Sequence, residues 1–392
     1  MKIAIIGTYL PRKCGIATFT HDLYKSLHNL ILDKPGIIAI SDSSESIFPK
    51  EVKFIIKKDD LQDYQTAAKF INENYDTCII QHEYGIFGGN TGYYIVELLK
   101  MLHIPVITNL HTVLKHPTPS ERTVVQQLDI YSDKLTVMTQ SAIDMLLSGY
   151  SLSDTKIKVI PHGIPEFTLS KMDAKEMLSL KGTKVMLSFG FLGPNKGYET
   201  AIEAVANVKE TNFVYLILGT THPDILRRDG EEYRTHLEKM VIDLGLEQKV
   251  LFINEFATEE LLLSYLKACD IFVSPYPNEN QISSGTLTFA LGAGSAVIST
   301  PYWYALDLLA KDRGLLFNFG DSVGLAQLIN LLLSNEKLLQ RYSANAARYG
   351  QNMQWPRIGI KLLKFIDEIF DEKAVTQTIP SLFPVNYKQL SS

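Results

Sequence analysis

A lysine flanked by glycines follows a buried strand pattern in the second half of the chain. The sequence from Gly190 reads GFLGPNKG and includes Gly193, Lys196 and Gly197, and a helical pattern covers residues 198–208. A cation at a helix N-terminus opposes the helix dipole, at a cost of about 0.3–1 kcal/mol when exposed. This position favours a Lys196 that turns away from the helix to bind an anion. The alternative is an ordinary solvated surface lysine.

A polar loop and the start of a small-residue helix follow another buried strand pattern, residues 270–274. The helix pattern runs to Gly294, and a further buried strand pattern covers residues 296–299. The candidate ligand-binding residues between them are Ser283, Ser284, Gly285, Thr286 and Leu287. Free amides at a helix start favour anions, and parallel sheets bind ligands at this edge. Serine and threonine also cap helices for purely structural reasons, so the segment alone leaves both interpretations open.

The loop with Lys196 and the helix start after Ser284 belong to the same half of the chain. Each follows a buried strand pattern, so both are predicted at the carboxyl edge of one parallel sheet. The lysine, its neighbour Gly193 and the hydroxyl and amide donors would together clamp a diphosphate.

Two histidines follow buried strand patterns in the first half of the chain. His82 and Glu83 come after residues 77–81, and His111 comes after residues 106–110. A lone histidine is usually a satisfied polar residue, but two at equivalent edges of one sheet favour a function. They lack the spacing of helical metal ligands and no cysteine accompanies them, so zinc is not predicted.

A loop at residues 7–18 joins the first strand pattern to the first helix. It contains Arg12, Lys13 and Gly15. Such a loop could hold a phosphate or let a substrate approach the backbone closely. Its spacing matches neither the dinucleotide-binding fingerprint nor the Walker loop. With His82 and His111, it is predicted to form the opposite wall of a cleft.

Two series of buried strand patterns would position these loops. The first series covers residues 3–6, 36–40, 52–56, 77–81, 106–110, 135–139 and 157–160, and the second covers residues 184–189, 213–218, 249–253, 270–274, 296–299 and 315–317. Helical patterns alternate with them, which implies parallel sheets covered by helices on both faces. The predicted fold is α/β, with two Rossmann-like doubly wound domains facing across a cleft. Residues 171–182 are polar without a strand pattern and are the predicted linker.

The last clear helical pattern covers residues 355–370. Its apolar residues at helical spacing are Trp355, Ile358, Leu362, Phe365, Ile366 and Ile369. The tail from Thr376 has two prolines and no periodicity, which predicts extended packing or partial disorder. The predicted division is a first domain at residues 1–170, a second domain at 171–354, and a C-terminal helix with its tail at 355–392.

Composition narrows the class of protein. The net charge is -5, from 38 basic and 43 acidic residues mixed along the chain, which argues against nucleic acid as a partner. Cys14, Cys78 and Cys269 are far apart and odd in number, which indicates no disulfide framework and suits a reducing cytoplasm. No apolar run has the length of a transmembrane segment, whereas peripheral membrane contact stays open.

With these residues in view, the chain resembles the retaining GT-B glycosyltransferases of family four, the sucrose-synthase and mannosyltransferase-like enzymes. The matching segments, in order over residues 1–370, are IIGTYLPRKCGIATFTHDL, NLHT, VIPHGI, FGFLGPNKGYETAIEA, LILGT, VLFINEFATEELLLSYLKACDIFVSPY and GTLTFALGAGSAVISTP. The resemblance implies two Rossmann-like domains, with the acceptor side on residues 1–170 and the donor on residues 171–354, and a C-terminal helix at 355–392 that crosses back to the first domain.

The resemblance also implies a reaction. A hexosyl group would move from a nucleotide-diphosphate sugar to a carbohydrate-type or other hydroxyl acceptor, with retained anomeric configuration, no cofactor and usually no metal. Lys196 matches the family's diphosphate-binding lysine, and His111 the histidine near the donor sugar. Gly15 matches the glycine close to the sugar and phosphates, and residues 283–287 match the turn on the sugar and diphosphate. The residues predicted on the acceptor side are Arg12, Lys13, His82 and Glu83.

Three positions depart from the family pattern. The two usual glutamates fall at Gln281 and Phe289, and the usual arginine partner of the lysine falls at Phe191. Gln281 could hydrogen-bond sugar hydroxyls and is predicted in the donor site, whereas Phe289 cannot chelate a ribose diol. Arg12 or Lys13 would have to compensate from across the cleft. The chain is therefore predicted to belong to a divergent subgroup.

Two other function classes stay open. The missing glutamates suit a non-catalytic protein that binds a nucleotide sugar or assists assembly. A GT-B enzyme of another reaction type, such as a phosphorylase or an epimerase, would also bind phosphate at Lys196. The phosphorylase is disfavoured because nothing in the sequence indicates a pyridoxal lysine site.

Overall fold

Two parallel sheets form the frame of the molecule. The computed structural model describes residues 1–42 and 47–378, and in this part thirteen strands pair in parallel throughout. The first sheet has β1 Ile3–Gly7, β2 Gly36–Ser41, β3 Val52–Lys57, β4 Thr77–His82, β5 Val106–Leu110, β6 Lys134–Val137 and β7 Ile157–Val159. The second has β8 Lys184–Phe189, β9 Phe213–Leu218, β10 Val250–Ile253, β11 Ile271–Ser274, β12 Ala296–Ser299 and β13 Leu315–Leu316. The predicted α/β fold with two doubly wound domains is confirmed.

The order of the strands locates the ligand-binding edge. It is β3-β2-β1-β4-β5-β6-β7 in the first sheet and β10-β9-β8-β11-β12-β13 in the second. The chain changes direction across the sheet between β1 and β4 and again between β8 and β11. Ligands of open parallel sheets bind outside the carboxyl ends of the strands at such a switch point. The loops with Lys13, His82, Lys196 and Tyr276 all lie at these two points.

Helices cover both faces of each sheet because their apolar stripes pack on the buried strands. In the first domain they are α1 Gly15–His28, α2 Leu61–Asn74, α3 Tyr94–Leu99, α4 Pro119–Tyr131 and α5 Gln140–Tyr150. In the second they are α6 Lys171–Met177, α7 Tyr198–Val205, α8 Pro223–Asp229, α9 Glu232–Asp243, α10 Glu259–Ala268, α11 Gly285–Ala293, α12 Trp303–Leu309, α13 Ser322–Ser334 and α14 Glu336–Gly350. The last helix is α15 Trp355–Thr378.

The predicted linker is partly helical. Residues 171–177 form α6, whose N-cap Ser170 accepts a hydrogen bond from the amide of Asp173. Lys171 and Lys175 form ion pairs of 2.9 Å and 2.6 Å with the largely buried carboxylate of Asp270. These contacts bind the segment to the second domain, and residues 171–177 of the predicted linker are helical.

The C-terminal helix returns to the first domain, as expected of this fold. The hydroxyl of Ser26 on α1 donates to the carbonyl of Trp355, at 2.6 Å. A Cβ at Gly359 would lie 2.4 Å from the Ser26 hydroxyl, so glycine permits the close approach of α15 to α1. The helix is longer than the predicted 355–370 and includes Thr376, where the tail was expected to start; residues 379–392 lie outside the described part.

The two domains touch directly beside the cleft. The backbone amide and hydroxyl of Ser141 donate to the carboxylate of Asp307, at 3.1 Å and 2.9 Å. Ile282, from the loop before α11, is buried within the apolar cluster of the first domain. Across residues 1–42 and 47–378, no helix has the length and apolar character to cross a membrane.

Candidate active site

Lys196 lies in a tight turn between β8 and α7. Residues Pro194–Lys196 form a short 3₁₀ turn, and Gly197 follows with φ 70°. A Cβ at Gly197 would lie 2.0 Å from the carbonyl oxygen of Pro275, so the turn requires glycine here. Because α7 starts only at Tyr198, Lys196 precedes the helix instead of opening it. The predicted penalty from the helix dipole is correspondingly weaker.

The half-buried Lys196 points toward Tyr276 in the loop after β11. Its Nζ donates a hydrogen bond to the tyrosine hydroxyl at 3.2 Å and lies 4.5 Å from the ring centre. Desolvation would raise the pKa of Tyr276, but the Lys196 cation and hydrogen bonds from Thr286, Lys196 and Ser284 outweigh it and lower that pKa. The phenol oxygen thus marks a place where these residues favour negative charge.

The start of α11 borders the same place. Ser284 is the N-cap, and its hydroxyl accepts a hydrogen bond from the amide of Leu287 at 3.3 Å and contacts the Thr286 hydroxyl at 3.1 Å. Thr286 also lines a small cavity together with Lys196 and Tyr276. Ser284 therefore has the structural capping role, and it lies where a bound anion would meet the helix start as well.

His111 meets this turn from the first domain. The hydroxyl of Ser283 donates to the backbone carbonyl of His111 across the domain boundary, at 2.9 Å. The imidazole is buried, its Nε2 lies 2.8 Å from Oε1 of Gln81, and Phe19 packs edge-on at 4.6 Å. Burial, with smaller contributions from His162 and His82, lowers the pKa of His111 to about 3. The ring is therefore neutral at physiological pH.

His82 and Glu83 lie one strand away. The His82 ring is fully buried and stacks on Phe87 with ring centres 5.8 Å apart. Within the described chain neither ring nitrogen has a hydrogen-bond partner, and burial lowers the His82 pKa to about 3. Glu83 accepts a hydrogen bond from Thr112 at 2.6 Å, and burial raises its pKa. In this structure His82 is shielded from the cleft, and Glu83 is the more accessible of the two.

The loop after β1 divides between the two domains. Arg12 forms an ion pair of 2.5 Å with Asp42, so it is engaged within the first domain. Lys13 crosses the cleft, and its Nζ lies 5.2 Å from the ring centre of Phe256 in the second domain. Gly15 is the exposed first residue of α1, and a Cβ there would meet nothing within 4 Å. Of the two cations, Lys13 is the one placed to serve the opposite wall.

Gln281, Phe289 and Phe191 have partners of their own. The amide nitrogen of Gln281 donates to the carbonyl of Ser283, at 2.7 Å. Phe289 packs on Phe189, with ring centres 6.4 Å apart. Phe191 lies 5.7 Å from Phe256, ring centre to ring centre. The last two positions thus give the second domain an aromatic lining where the family pattern has charged side chains.

Three residues at the site were not singled out from the sequence. Tyr276 holds Lys196, Gln81 holds His111, and the half-buried His162 lies edge-on to Phe19 at 5.0 Å. Burial lowers the pKa of His162 to about 4. Tyr276 and His162 lie within the matching segments ending in SPY and containing IPHGI, which was the available signal. Among residues 1–42 and 47–378, no group of three or more His, Cys, Asp or Glu side chains could hold a metal ion.

Comparison with known proteins agrees with this geometry. Residues 171–349 match the family model of glycosyl transferases group 1. The D-inositol 3-phosphate glycosyltransferase of Corynebacterium efficiens is 25% identical over 311 residues, covering 73% of this chain and 70% of that protein. The mannosylfructose-phosphate synthase of Agrobacterium fabrum is 22% identical over 392 aligned residues, covering 91% of this chain and 84% of that protein.

Solved structures share the whole architecture. Anabaena HepE in complex with UDP superimposes with a TM-score of 0.77 at 16% identity, covering 94% of this chain and 100% of that one. The same protein has been solved with UDP-glucose. The fold is GT-B, and the matches support a glycosyltransferase. Within that class, they support the group 1, family-four-like type, with the family match lying in the second domain.

Proposed function

We propose that this protein is a retaining glycosyltransferase that moves a hexosyl group from a nucleotide-diphosphate sugar to a carbohydrate-type or other hydroxyl acceptor. One observation carries the proposal: Lys196, Tyr276 and the start of α11 converge opposite His111, and the Ser283 hydroxyl joins the two walls. A cation beside free helix amides suits a departing diphosphate. The complexes of HepE with UDP and UDP-glucose support a nucleotide sugar as donor.

The proposed reaction makes and breaks its bonds on one face of the sugar. The bond from the anomeric carbon to the diphosphate oxygen breaks, and the bond to the acceptor oxygen forms on the same side. The acceptor proton passes to a diphosphate oxygen. Lys196 leaves the Tyr276 hydroxyl and stabilises the charge that grows on the diphosphate, assisted by the amides after Ser284. Neutral His111 forms a hydrogen bond with the donor sugar without adding charge.

The acceptor is proposed to bind on the first domain, near Lys13 and Glu83. Glu83 is held by Thr112, and its raised pKa reflects a poorly hydrated position at the edge of the sheet. A hydroxyl-bearing acceptor could bind to such a carboxyl group. We place the reaction in the cytoplasm, in keeping with three free cysteines, two of them buried.

A non-catalytic nucleotide-sugar-binding protein is the second candidate. It is favoured by two observations: the Gln281 amide donates to the Ser283 carbonyl, and Phe289 packs on other aromatic rings. Neither side chain can act as the carboxylates of the family pattern do. Both candidates require nucleotide binding, so turnover distinguishes them.

Nucleoside diphosphates should stabilise the protein against heat. A ligand that binds only the folded state adds about 2.7 kcal/mol at 100 times its dissociation constant. Thermal unfolding with UDP, GDP, ADP, CDP and TDP in turn, without metal, should show a shift with one base. The matching nucleotide sugars would then be tested for release of the diphosphate with sugar acceptors present. Binding without release would select the non-catalytic candidate, and no shift with any diphosphate would contradict both.

Activity, once the donor is known, should survive EDTA. The proposal assigns the positive charge at the diphosphate to Lys196 and the helix amides, so no divalent ion is needed for charge neutralisation. Initial rates would be compared with and without an excess of EDTA. Complete loss on chelation, restored by either ion, would overturn the metal-independent step.

A further inference from the structure

A short chain of hydrogen bonds between buried side chains ends at His111. The Thr136 hydroxyl donates to Oδ1 of Asn109 at 3.1 Å, and the Asn109 amide nitrogen donates to Oε1 of Gln81 at 2.9 Å. Nε2 of His111 lies 2.8 Å from the same Oε1. Gln81 and Asn109 are paired residues on the adjacent strands β4 and β5. The chain therefore links three neighbouring strands to the imidazole at the cleft.

The chemistry of Gln81 fixes the proton on His111. An amide oxygen carries no hydrogen and can only accept, so Nε2 must carry the proton when it bonds to Oε1. Burial keeps the imidazole neutral, since the pKa of His111 is lowered to about 3. The nearest titratable neighbours, His82 and His162, also have lowered pKa values and add no charge. Nδ1 of His111 is thus left with an unprotonated lone pair.

We propose that Gln81 is a positioning residue that holds His111 as the Nε2-protonated tautomer, so that Nδ1 accepts a hydrogen bond from a hydroxyl group of the donor sugar. The inference rests on the proposed function, because it requires a sugar beside His111. It adds a direction to that contact: the sugar hydroxyl donates and the histidine accepts.

Gln81 lies in a confined site where its amide oxygen is hydrogen-bonded, while its amide nitrogen has no hydrogen-bond partner among the described residues. Gln81 is fully buried. A Cβ added at Gly7 on β1 would lie only 3.1 Å from the Gln81 Cβ, so the neighbouring strand approaches closely. His111 keeps 5% of its surface exposed, and its two printed side-chain contacts both involve Nε2: 2.8 Å to Oε1 of Gln81 and a longer 3.3 Å to the Asn109 amide nitrogen. The shorter contact to an acceptor oxygen requires the proton on Nε2. A reversed Gln81 amide would set its NH₂ group against that of Asn109, so reversal requires both amides to turn. The protonation state of Nε2 reports which arrangement the protein has.

The tautomer can be measured without donor or turnover. Histidine labelled with ¹⁵N gives long-range ¹H–¹⁵N correlations that distinguish a protonated from an unprotonated ring nitrogen. The His111 signals are assigned as those absent from the His111→Asn spectrum. We expect protonated Nε2 and bare Nδ1 in the wild-type protein at pH 7. A bare Nε2 with protonated Nδ1 would overturn the inference.

Substitution of Gln81 tests the functional consequence. Gln81→Glu should raise the His111 pKa, since a carboxylate favours the imidazolium, so the fall of kcat on the acid side of its pH profile should move to higher pH. Gln81→Met removes the acceptor without adding charge and should populate both tautomers. With the donor identified, each variant should lose about 10–100-fold in kcat, as for partners that orient histidines at metal sites.

Thr108→Val is the matched control. Thr108 lies on β5 beside Asn109, and its hydroxyl shares a buried hydrogen bond of 2.8 Å with Ser132. The substitution removes a comparable bond but leaves the His111 tautomer and the pH profile unchanged. Equal loss of kcat in this control, with an unchanged pH profile in Gln81→Glu, would reduce Gln81 to a structural role. If the protein still binds nucleotide in that case, the proposed function stands and only the role of Gln81 is overturned. If instead His111 has the expected tautomer but the protein does not bind nucleotide, the proposed function is contradicted.

Discussion

Lys196→Ala is expected to lower turnover by about 10²–10³-fold, the usual effect of removing one positioned donor from a developing negative charge. The reason is geometric: Nζ rests 3.2 Å from the Tyr276 hydroxyl, at the start of α11, and no other cation is placed there among the described residues. Steady-state kinetics with the identified donor would give kcat and KM, and calorimetry would give the affinity for the free nucleoside diphosphate.

The same change should cost little stability. The variant lacks the cation–π contact between Lys196 and Tyr276, and such a contact is worth about 0.5–1 kcal/mol when exposed and about 2 kcal/mol when desolvated. Because the side chain is half-buried, we expect about 1 kcal/mol. Lys196→Met keeps the apolar stem without the charge and should show the same kinetic loss. Lys196→Arg should recover part of the rate, since a planar fork does not reproduce a compact ammonium.

Lys181→Ala is the control for general loss of positive charge. Its side chain is 73% exposed and forms only a loose ion pair of 3.9 Å with Glu176. The control should keep wild-type turnover and change stability by less than about 0.5 kcal/mol. Full activity of Lys196→Ala, with unchanged nucleotide affinity, would remove the main support for the proposed active site. Unfolding of that variant would assign Lys196 to the fold instead.

The strands were predictable because parallel strands are buried on both faces. Their sequences are continuous apolar runs, which stand out without knowledge of any partner. Val106–Leu110, Lys184–Phe189, Phe213–Leu218 and Ala296–Ser299 have the predicted limits, and elsewhere the ends differ by one or two residues. The helical nature of residues 171–177 was missed because α6 is short, and it is anchored by Asp270, far along the chain. Such a tertiary contact leaves no local pattern.

The candidate site divides in the same way. Lys196, His111 and Ser284 could be predicted because each lies just beyond a buried strand, at an edge that binds ligands. Tyr276 lay within a matching segment but was not singled out, and its role, like that of Gln81, depends on contacts across 80 and 30 residues of sequence. In the sequence, Gln81 is a polar residue directly after the apolar residues of β4, with nothing that indicates its partner. Only the pairing of β4 with β5 shows which side chain it serves.

Trp355→Ala should produce the largest loss of stability among these variants, about 3–5 kcal/mol, as is typical of a buried tryptophan. Trp355 is 7% exposed at the start of α15. Its ring lies 5.0 Å from Phe19 on α1 and 6.0 Å from His162, both by ring centres. A Cβ at Gly163 would lie 2.2 Å from this ring, so the close packing of the ring requires glycine at position 163. The ring therefore joins the returning helix to the first domain.

Urea unfolding followed by circular dichroism would measure this loss. If the two domains unfold separately, the shift should fall on the transition of the first domain, because Phe19 belongs to it. Ile360→Ala is the matched control: it lies on the same helix, is 43% exposed and should change stability by less than about 0.5 kcal/mol. An equal and small effect of both substitutions would show that α15 is held by its other contacts. Phe19 also packs on His111, so a destabilised but folded Trp355→Ala protein should retain nucleotide binding and lose turnover.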